Sequence, residues 1–487
     1  MRARAKIRAL ERENQKLREI VARLQEEVER LKGVVRELQE QLRTNSRNSS
    51  KPPSSDPPSN NPPSCFDHGR DGKHKPEGRS PGGQPGHEPK TRKLLPPDQV
   101  DQVVNCKPPE RCECGGMVRP ADGTPERRQV LEIPPIKPVV TEYRLFAGIC
   151  EACGRRHRGA LPDGVPCGML GPRPMAMASL LSGKYHLSKR DVVEMLEDLL
   201  GTELCLGTVS NIEARVSGAI EQAVEEAKRF VAEQPVVHMD ETGWKQGRNK
   251  AWLWTAVASS VMVFAVRFSR GAKVVQEMLG ELFRGILVSD RWSAYNGLDP
   301  RRRQLCWAHL MRDFFKISER SGEAGKIGTQ LLEQAHKMFG LWHKMRDGPL
   351  DRRAFQVSVQ PIRESIEALL HQGASCEHAK TRHTCKRILK RKAALWTFVD
   401  VPGVEPTNNA AERAVRPAVL WRKQSFGTQS ERGSEFVERM LTVCGTCKLQ
   451  GRNVLAYLVQ AIEASLLGQA APSLLPSEAP RKEVSAA

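Results

Sequence analysis

Two short apolar segments that end in aspartate, Val236-Val-His-Met-Asp240 and Ile286-Leu-Val-Ser-Asp290, decide the fold prediction for this chain. Their length and their β-branched content are typical of buried strands. The elements predicted around them are strands at residues 252–258, 261–268 and 304–308, with a Ser-Ser turn between the first two, and a helix at residues 272–283. The pattern therefore predicts a sheet with one aspartate on its first strand and another at the end of its fourth.

This element order is that of the ribonuclease-H-like fold, in which those two aspartates lie side by side. Two divalent ions about 4 Å apart assist in-line displacement at a phosphodiester, and Mg²⁺ or Mn²⁺ prefers carboxylate oxygens as ligands. Asp240 and Asp290 are therefore predicted to hold two such ions. The alternative is that Asp290 only caps the helix that follows it, in Ser-Asp-Arg-Trp-Ser-Ala-Tyr.

A third carboxylate is expected from Glu412, in the segment Glu405-Pro-Thr-Asn-Asn-Ala-Ala-Glu-Arg. Thr407 or Asn408 can cap a helix and place Glu412 in its first turn, where the helix dipole favours negative charge. The alternative is a surface ion pair between Glu412 and Arg416, which would stabilise little.

The composition favours a polyanionic partner. The 487 residues carry a formal net charge of +19, and nucleic acid is the commonest partner of so basic a protein, although a membrane surface or solubility alone are alternatives. No segment has the roughly 18 apolar residues of a membrane span, and the N-terminus lacks the apolar core of a signal peptide. The thirteen cysteines indicate cytosolic thiols with one metal site rather than disulfides. We therefore expect a cytoplasmic, nucleoid-associated protein without membrane contact.

Residues 5–43 carry a leucine at every seventh position, in the series Leu10, Leu17, Leu24, Leu31 and Leu38. The positions three residues earlier hold Ile7, Asn14, Val21, Val28 and Val35. This pattern predicts a parallel two-stranded coiled coil, because β-branched residues at a and leucine at d favour that state. We therefore expect a homodimer or higher oligomer; the alternative is a single solvated helix.

The next two modules are a linker and a metal candidate. Residues 44–97 are rich in Pro, Ser and Gly and basic, which predicts a disordered segment that either contacts phosphates or acts as a spacer. Residues 98–165 resemble a zinc ribbon with ligands Cys112, Cys114, Cys150 and Cys153, joined by strands in the segment 130–146. Because Cys-x-Cys is a tight spacing, Cys106 and His157 are substitutes. The structural Zn²⁺ competes with ordinary buried thiols.

Residues 174–230 are predicted to be helical, with Ser188 as an N-cap, a break at Gly201 and a second helix that begins at Gly207 or Thr208. The pair is helix-turn-helix-like, so Thr208, Ser210 and Asn211 could face a DNA groove, and an ordinary helix pair is equally compatible.

Residues 325–398 are predicted to be a helical insertion in a catalytic domain of residues 235–435, followed by a helical tail at 436–487 whose last residues are disordered. The basic residues expected to contact DNA are Lys386, Arg387, Lys390, Arg391, Arg413, Arg416, Arg422 and Lys423. A second metal group at Cys376, His378, His383 and Cys385 is more simply an incidental cluster. His309 could act near the metal ions or be structural.

Five motifs together resemble the insertion-sequence-66 family of bacterial DDE transposases. They are Asn45-Ser-Arg-Asn-Ser-Ser-Lys-Pro-Pro, Gly82-Gly-Gln-Pro-Gly-His, Met239-Asp-Glu-Thr-Gly-Trp, Cys306-Trp-Ala-His-Leu and Glu405-Pro-Thr-Asn-Asn-Ala-Ala-Glu-Arg. The resemblance implies a catalytic triad at Asp240, Asp290 and Glu412. It also implies a leucine zipper, a zinc-finger-like region and accessory proteins encoded by the same element.

The predicted protein is thus a multidomain α+β and α/β transposase that binds the ends of its element, hydrolyses a phosphodiester and joins the freed 3′-hydroxyl to target DNA. The alternatives are a nuclease or resolvase of the same fold without strand transfer, and a dimeric DNA-binding regulator. Intact carboxylates at all three triad positions argue against the regulator.

Overall fold

The computed structural model describes residues 15, 18–32, 35, 94–119 and 124–476. Residues 18–32 form helix α1, whose heptad side chains Val21, Leu24, Val28 and Leu31 are exposed on the single chain. Residues 18–32 are therefore helical, as the coiled-coil prediction requires, and their pairing with a second chain stays a prediction. The other heptads, and residues 44–93 of the predicted linker, lie outside the described residues.

The chain divides into two compact units. Among the described residues, one consists of residues 94–119, 124–140 and 199–201, and the other of residues 15, 18–32, 35, 141–198 and 202–476. Of the described residues, the second unit contains every strand of the central sheet. No helix among the described residues is long and apolar enough to cross a membrane.

The central sheet has five strands in the spatial order β5-β4-β3-β6-β7. Their bounds are β3 Val236–Gln246, β4 Asn249–Val257, β5 Met262–Arg267, β6 Ile286–Ser289 and β7 Arg303–Leu305. Strands β3, β4 and β5 are antiparallel neighbours, whereas β6 runs parallel to β3 and to β7. The strands predicted at 236–240, 252–258, 261–268 and 286–290 are present, and helix α6, Ala272–Leu279, connects β5 to β6.

The fifth strand is shorter than predicted, because Cys306 caps helix α7, Trp307–Ser318. The residues 306–308 therefore do not belong to the strand. The buried positions Trp307, Leu310, Met311 and Phe314 recur with helical spacing. This periodicity favours a helix from residue 307, although the short apolar run at 304–308 is also compatible with a strand. The Trp307 amide donates to the Pro406 carbonyl at 2.9 Å, which fixes the start of α7.

Helices before the sheet follow the predicted helical region. Their bounds are α2 Pro172–Gly183, α3 Lys189–Leu200, α4 Leu206–Ala219 and α5 Glu221–Ala232. The Ser188 hydroxyl accepts from the Asp191 amide at 3.2 Å and the Asp191 carboxylate accepts from the Ser188 amide at 3.2 Å, so Ser188 is the predicted cap. Helix α3 ends before Gly201, which has φ +60. Helix α4 begins at Leu206, one residue before the predicted start.

The insertion is helical, as predicted, and has its own aromatic core. Its helices are α8 Gly322–Arg346, α9 Arg352–Ser375, α10 Ala379–Leu389 and α11 Thr397–Asp400. Trp307, Trp342, Phe355, Trp396 and Phe398 pack together between these helices and β7. The chain continues into α12 Asn409–Ser425, α13 Glu431–Leu449 and α14 Val454–Leu466.

Helix α13 covers the edge strand β5 through a ladder of side chains. The amides of Met262, Phe264 and Val266 donate to Thr446, Thr442 and Glu438 at 3.1, 3.1 and 2.7 Å. Positions 438, 442 and 446 are one helical turn apart, and alternate residues of β5 point their amides to the same side. The edge of the sheet is therefore closed by a helix instead of another strand.

The predicted strand at residues 130–146 is wrong. This segment has no regular secondary structure, and Val130 and Val139 are exposed. Pro134, Pro135 and Pro138 remove the amide donors that a strand needs, which outweighs the β-branched composition. A short hairpin of β1 Ala147–Ile149 and β2 Arg156–Arg158 follows instead.

Candidate active site

The sheet register places Asp240 and Asp290 at the same level of two neighbouring parallel strands. Residues 236, 237 and 238 of β3 pair with 286, 287 and 288 of β6. Two residues further along each strand are Asp240 and Asp290, which therefore point to the same face. The register therefore sets the two aspartates side by side on neighbouring strands. The strand-end prediction is correct for Asp290, which directly follows β6, and wrong for Asp240, because β3 continues to Gln246.

Both aspartates accept a hydrogen bond from a backbone amide, and burial raises the pKa of both. Asp240 accepts from the Glu241 amide at 2.9 Å, and Asp290 accepts from the Trp292 amide at 2.8 Å. Burial, followed by the charges of Glu241, Asp290 and Glu412, raises the pKa of Asp240 well above its usual value. Burial also raises the pKa of Asp290, against the opposing effect of the Trp292 amide. Carboxylates crowded in this way are stabilised by a bound cation.

Glu412 reaches this face from the first turn of α12, which packs against β3 and β4. Its Oε1 lies 3.5 Å from His309 Nδ1 and 3.8 Å from Cys306 Sγ, and its Oε2 lies 3.9 Å from Arg312. Since Glu412 also contributes to the raised pKa of Asp240, the structure brings all three predicted carboxylates into one site.

Asn408, the cap residue of α12, fixes that helix to the strand that carries Asp240. Its side-chain amide donates to the Met239 carbonyl at 2.8 Å, and its Oδ1 lies 3.3 Å from His238 Nδ1. Its backbone amide donates to Cys306 Sγ at 3.2 Å. The side chain makes no capping hydrogen bond within its own helix, so its function is to join two elements rather than to cap.

A buried ion pair beside the aspartates was not predicted. The side chain of Glu241 is 1% exposed and pairs with Arg270 at 2.7 Å. The Tyr295 hydroxyl donates to the same carboxylate at 2.6 Å. The Arg270 guanidinium lies between the rings of Trp252 and Trp292, 4.5 and 3.7 Å from their centroids. This network fixes the loop after Asp290, because Trp292 belongs to that loop and its indole donates to the Arg270 carbonyl.

Arg303 and Arg291 lie close enough to Asp290 for their charges to lower its pKa against the larger effect of burial. Arg303 is buried and donates to Ser289 and to the Asp290 carbonyl, each at 3.1 Å. Arg291 pairs with Asp313 on α7. Burial, followed by Arg391, lowers the pKa of Arg303 to about 10. The charge of Arg391 therefore reaches the active-site loop from the insertion.

The predicted DNA-contacting residues fall into two groups. Those exposed to solvent are Lys386, Arg387, Lys390, Arg413, Arg416 and Lys423. Arg391 instead donates to Asn296 at 3.1 Å, and Arg422 donates to Thr242 and Gly243 on β3. These two guanidiniums therefore hold elements of the fold together.

Arg413 lies on the wall of a large groove of 2110 Å³. The other basic residues of the wall are Lys184, Arg284, Lys448 and Arg452. In the helix-turn-helix-like pair, Ser210 accepts from Lys189 at 2.7 Å, while Asn211 is exposed.

The cysteines predicted to bind zinc form two close pairs. Nearby backbone amides, followed by the neighbouring side chains of Cys112 and Cys153, lower the pKa of Cys114 and of Cys150 respectively. Lowered thiol pKa values suit metal ligands. Cys112 and Cys114 belong to one of the two compact units, and Cys150 and Cys153 belong to the other. Zinc binding by these cysteines stays a prediction.

Comparison with known proteins supports the resemblance. Residues 168–436 match the model described as "Transposase IS66 family", and residues 2–93 match a family of unknown function. The chain belongs to the IS66 transposase family. The match spans the sheet, the insertion and all three carboxylates, so this IS66-family chain belongs to a family of nucleic-acid-processing enzymes.

Relatives of this IS66-family chain occur in Sinorhizobium fredii (strain NBRC 101917 / NGR234). The uncharacterized protein y4qI is 26% identical over 426 residues, which cover 79% of this chain and 76% of y4qI. The uncharacterized protein y4hP is 24% identical over 420 residues, which cover 76% of this chain and 73% of y4hP. These similarities extend well beyond the residues matched by the family model.

Proposed function

We propose that this chain is a DDE transposase with a ribonuclease-H-like core, in which Asp240, Asp290 and Glu412 form the catalytic centre. The observation that carries the proposal is the parallel register of β3 and β6, which sets the two aspartates side by side with Glu412 facing them. The strand order β5-β4-β3-β6-β7 supports the fold assignment.

The donor set fits two Mg²⁺ or Mn²⁺ ions. Asp240 and Asp290 offer oxygen ligands only, which hard divalent ions prefer, and burial, followed by the charges of Glu241 and Asp290, raises the pKa of Asp240. When bound, such ions supply activation of the attacking oxygen and stabilisation of the leaving oxygen. The chain itself contributes rigid placement, because the Glu241 and Trp292 amides fix the two aspartate side chains.

The neighbouring side chains suit a phosphodiester substrate. Burial, followed by Arg312 and Arg291, lowers the pKa of His309 to about 3, so its imidazole is neutral at physiological pH. Arg312 and Arg291 add positive charge beside the carboxylates, where the substrate's phosphate would lie. In the proposed hydrolysis, water attacks phosphorus and the P–O3′ bond breaks. In the joining step the freed 3′-oxygen attacks a target phosphorus as its proton passes to solvent, the target P–O3′ bond breaks, and the displaced target 3′-oxygen takes up a proton.

The partners follow from the same proposal. The exposed cations of α10 and α12 contact the DNA of the element ends and of the target, and binding therefore weakens steeply as salt increases. Exposed leucines of α1 pair with a second copy to give a homodimer or higher oligomer. The proposal also includes a structural Zn²⁺ at the four cysteines and accessory proteins encoded by the same element. It further includes association of the protein with the nucleoid.

A pre-cut end tests the function. The purified full chain is incubated with Mg²⁺, target plasmid and labelled duplexes that carry a terminal 3′-hydroxyl, with matched duplexes that end in a 3′-dideoxynucleotide as the control. We expect joined products with the hydroxyl only. Cleavage of uncut ends without joining would favour the nuclease, and binding without either reaction would favour the DNA-binding regulator.

A further inference from the structure

Helices α7 and α12 bring a thiol, an imidazole and a carboxylate together beside the aspartates. Cys306 caps α7 and His309 lies in its first turn, so the two side chains share one face of the helix. Glu412 approaches that face from α12. The sulfur, a ring nitrogen and a carboxylate oxygen of these residues all lie within 4.8 Å of one another.

The separations match the edges of a small tetrahedron. Zinc bound at about 2.3 Å from sulfur and about 2.1 Å from nitrogen and oxygen sets its ligand atoms roughly 3.4 to 3.7 Å apart. Cys306 Sγ lies 3.8 Å from Glu412 Oε1, and His309 Nδ1 lies 3.5 Å from the same oxygen. Two of the three separations are therefore close to those around a tetrahedral ion, and the third, from Cys306 Sγ to the His309 ring nitrogen, is no more than 4.8 Å.

The imidazole provides independent support. His309 Nδ1 is buried and makes no hydrogen bond within the described part of the chain. Its 3.5 Å approach to Glu412 lacks hydrogen-bond geometry. Buried polar atoms are normally satisfied, and the lone pair of a neutral imidazole is a common metal ligand. An ion in this position would satisfy the nitrogen.

We propose that Cys306 Sγ, His309 Nδ1 and Glu412 Oε1 bind a divalent ion of the zinc class. Thiolate and imidazole ligands select Zn²⁺ or Co²⁺ over Mg²⁺, which prefers oxygen. On binding, the Cys306 thiol loses its proton to solvent as the sulfur–metal bond forms, and no redox change takes place. Three protein ligands leave the fourth position of a tetrahedral ion open to water or a phosphate oxygen.

This site shares Glu412 with the proposed catalytic centre, but its existence does not rest on the proposed reaction. A Zn²⁺ ion that takes Oε1 would compete for a carboxylate needed by the Mg²⁺-dependent chemistry. The inference that zinc suppresses this chemistry does rest on the proposed function.

Cobalt binding tests the site without reference to activity. Co²⁺ is titrated into the full chain, and the sulfur-to-cobalt absorption band and the number of bound equivalents are recorded. Because other cysteines are predicted ligands, the comparison is between the wild type and Cys306→Ser. We expect Cys306→Ser to bind one equivalent fewer, with a correspondingly weaker band, and His309→Gln to bind that equivalent at least about tenfold more weakly.

Cys447→Ser is the matched control, since Cys447 is also a buried thiol on a helix, and it should keep the wild-type stoichiometry and band. Thermal unfolding checks each variant; if Cys306→Ser does not fold, His309→Gln carries the test. An unchanged stoichiometry, band and affinity in the folded variants would overturn the site. Loss of the equivalent in a chain that does not join DNA would support the site and count against the proposed function instead.

Discussion

At the scale of single residues, the arrangement of the aspartates that suits the proposed chemistry lowers the stability of the fold. Asp240 binds its proton more tightly in the folded chain than in the unfolded one, because burial and neighbouring carboxylates raise its pKa. Such a group stabilises the fold below its unfolded pKa, and that contribution is lost as pH rises through the folded value. Placing the carboxylates close together therefore lowers the stability of the fold at pH values where Asp240 is ionised.

This cost predicts a stabilising substitution. In the absence of divalent ions, Asp240→Asn should raise the free energy of unfolding relative to the wild type at about pH 8, and much less at about pH 5. Urea unfolding at both pH values measures the difference. The exposed Asp400 provides the control, and Asp400→Asn should show no such pH dependence. A gain from Asp240→Asn that is equal at both pH values would contradict the electrostatic explanation.

The three catalytic candidates differed in how far residues alone could predict them. Asp240 and Asp290 follow from the two short apolar segments that precede them, which form neighbouring parallel strands in register, although β3 continues past Asp240 to Gln246. Glu412 came from its motif, since no local pattern shows that α12 packs beside β3. The sequence does not single out the thiol of Cys306 as a ligand, because that function depends on His309 and Glu412 lying beside it in the fold.

At the scale of elements, alternating and helical periodicities predicted the strands and helices but not their partners. The ladder between β5 and α13 joins residues 172 to 184 positions apart in sequence. The threonines of α13 appear ordinary in the sequence, because their hydroxyls acquire a function only when a strand edge lies against them. The strand prediction for the segment 130–146 is wrong for a local reason, because its prolines remove amide donors and outweigh its strand-like composition.

The ladder predicts a specific loss of stability. Thr442→Val keeps the side-chain shape and leaves the buried Phe264 amide without its acceptor, which should cost about 1–3 kcal/mol. Urea unfolding measures the change. Thr384→Val is the control, because the Thr384 hydroxyl donates to the Lys380 carbonyl of its own helix and not to a strand edge. Equal effects of the two substitutions would show that the ladder does not stabilise the sheet edge.

At the scale of the whole molecule, the proposed assembly on DNA rests on the predicted coiled coil and on the basic charge. Leu24 and Leu31 are exposed on α1 in the single chain, and a stripe of leucines is stable in water only when a partner helix covers it. Heptad periodicity predicts such a helix from sequence. The number of chains in the complex depends on contacts between copies, which local patterns do not encode.

Charged substitutions at the heptad leucines of α1, which form the predicted seam between the paired helices, test this assembly. The double substitution Leu24→Glu and Leu31→Glu should convert the dimer or higher oligomer to a monomer at the same concentration. Sedimentation velocity measures the mass. Arg23→Glu on the same helix lies outside the seam and should leave the mass unchanged. A wild-type mass for the double variant would place the contacts between chains elsewhere.

The central claim is that Asp240, Asp290 and Glu412 act as one catalytic centre on DNA. The most direct test is the single-turnover rate of end cleavage in Mg²⁺ for Asp240→Asn, Asp290→Asn and Glu412→Gln, with Asp400→Asn as the control. Each triad substitution should lower the rate by about 10³-fold or more, equivalent to roughly 4 kcal/mol, while DNA binding persists and the control stays within about twofold of the wild type. A triad variant that binds DNA and cleaves at the wild-type rate would contradict the account.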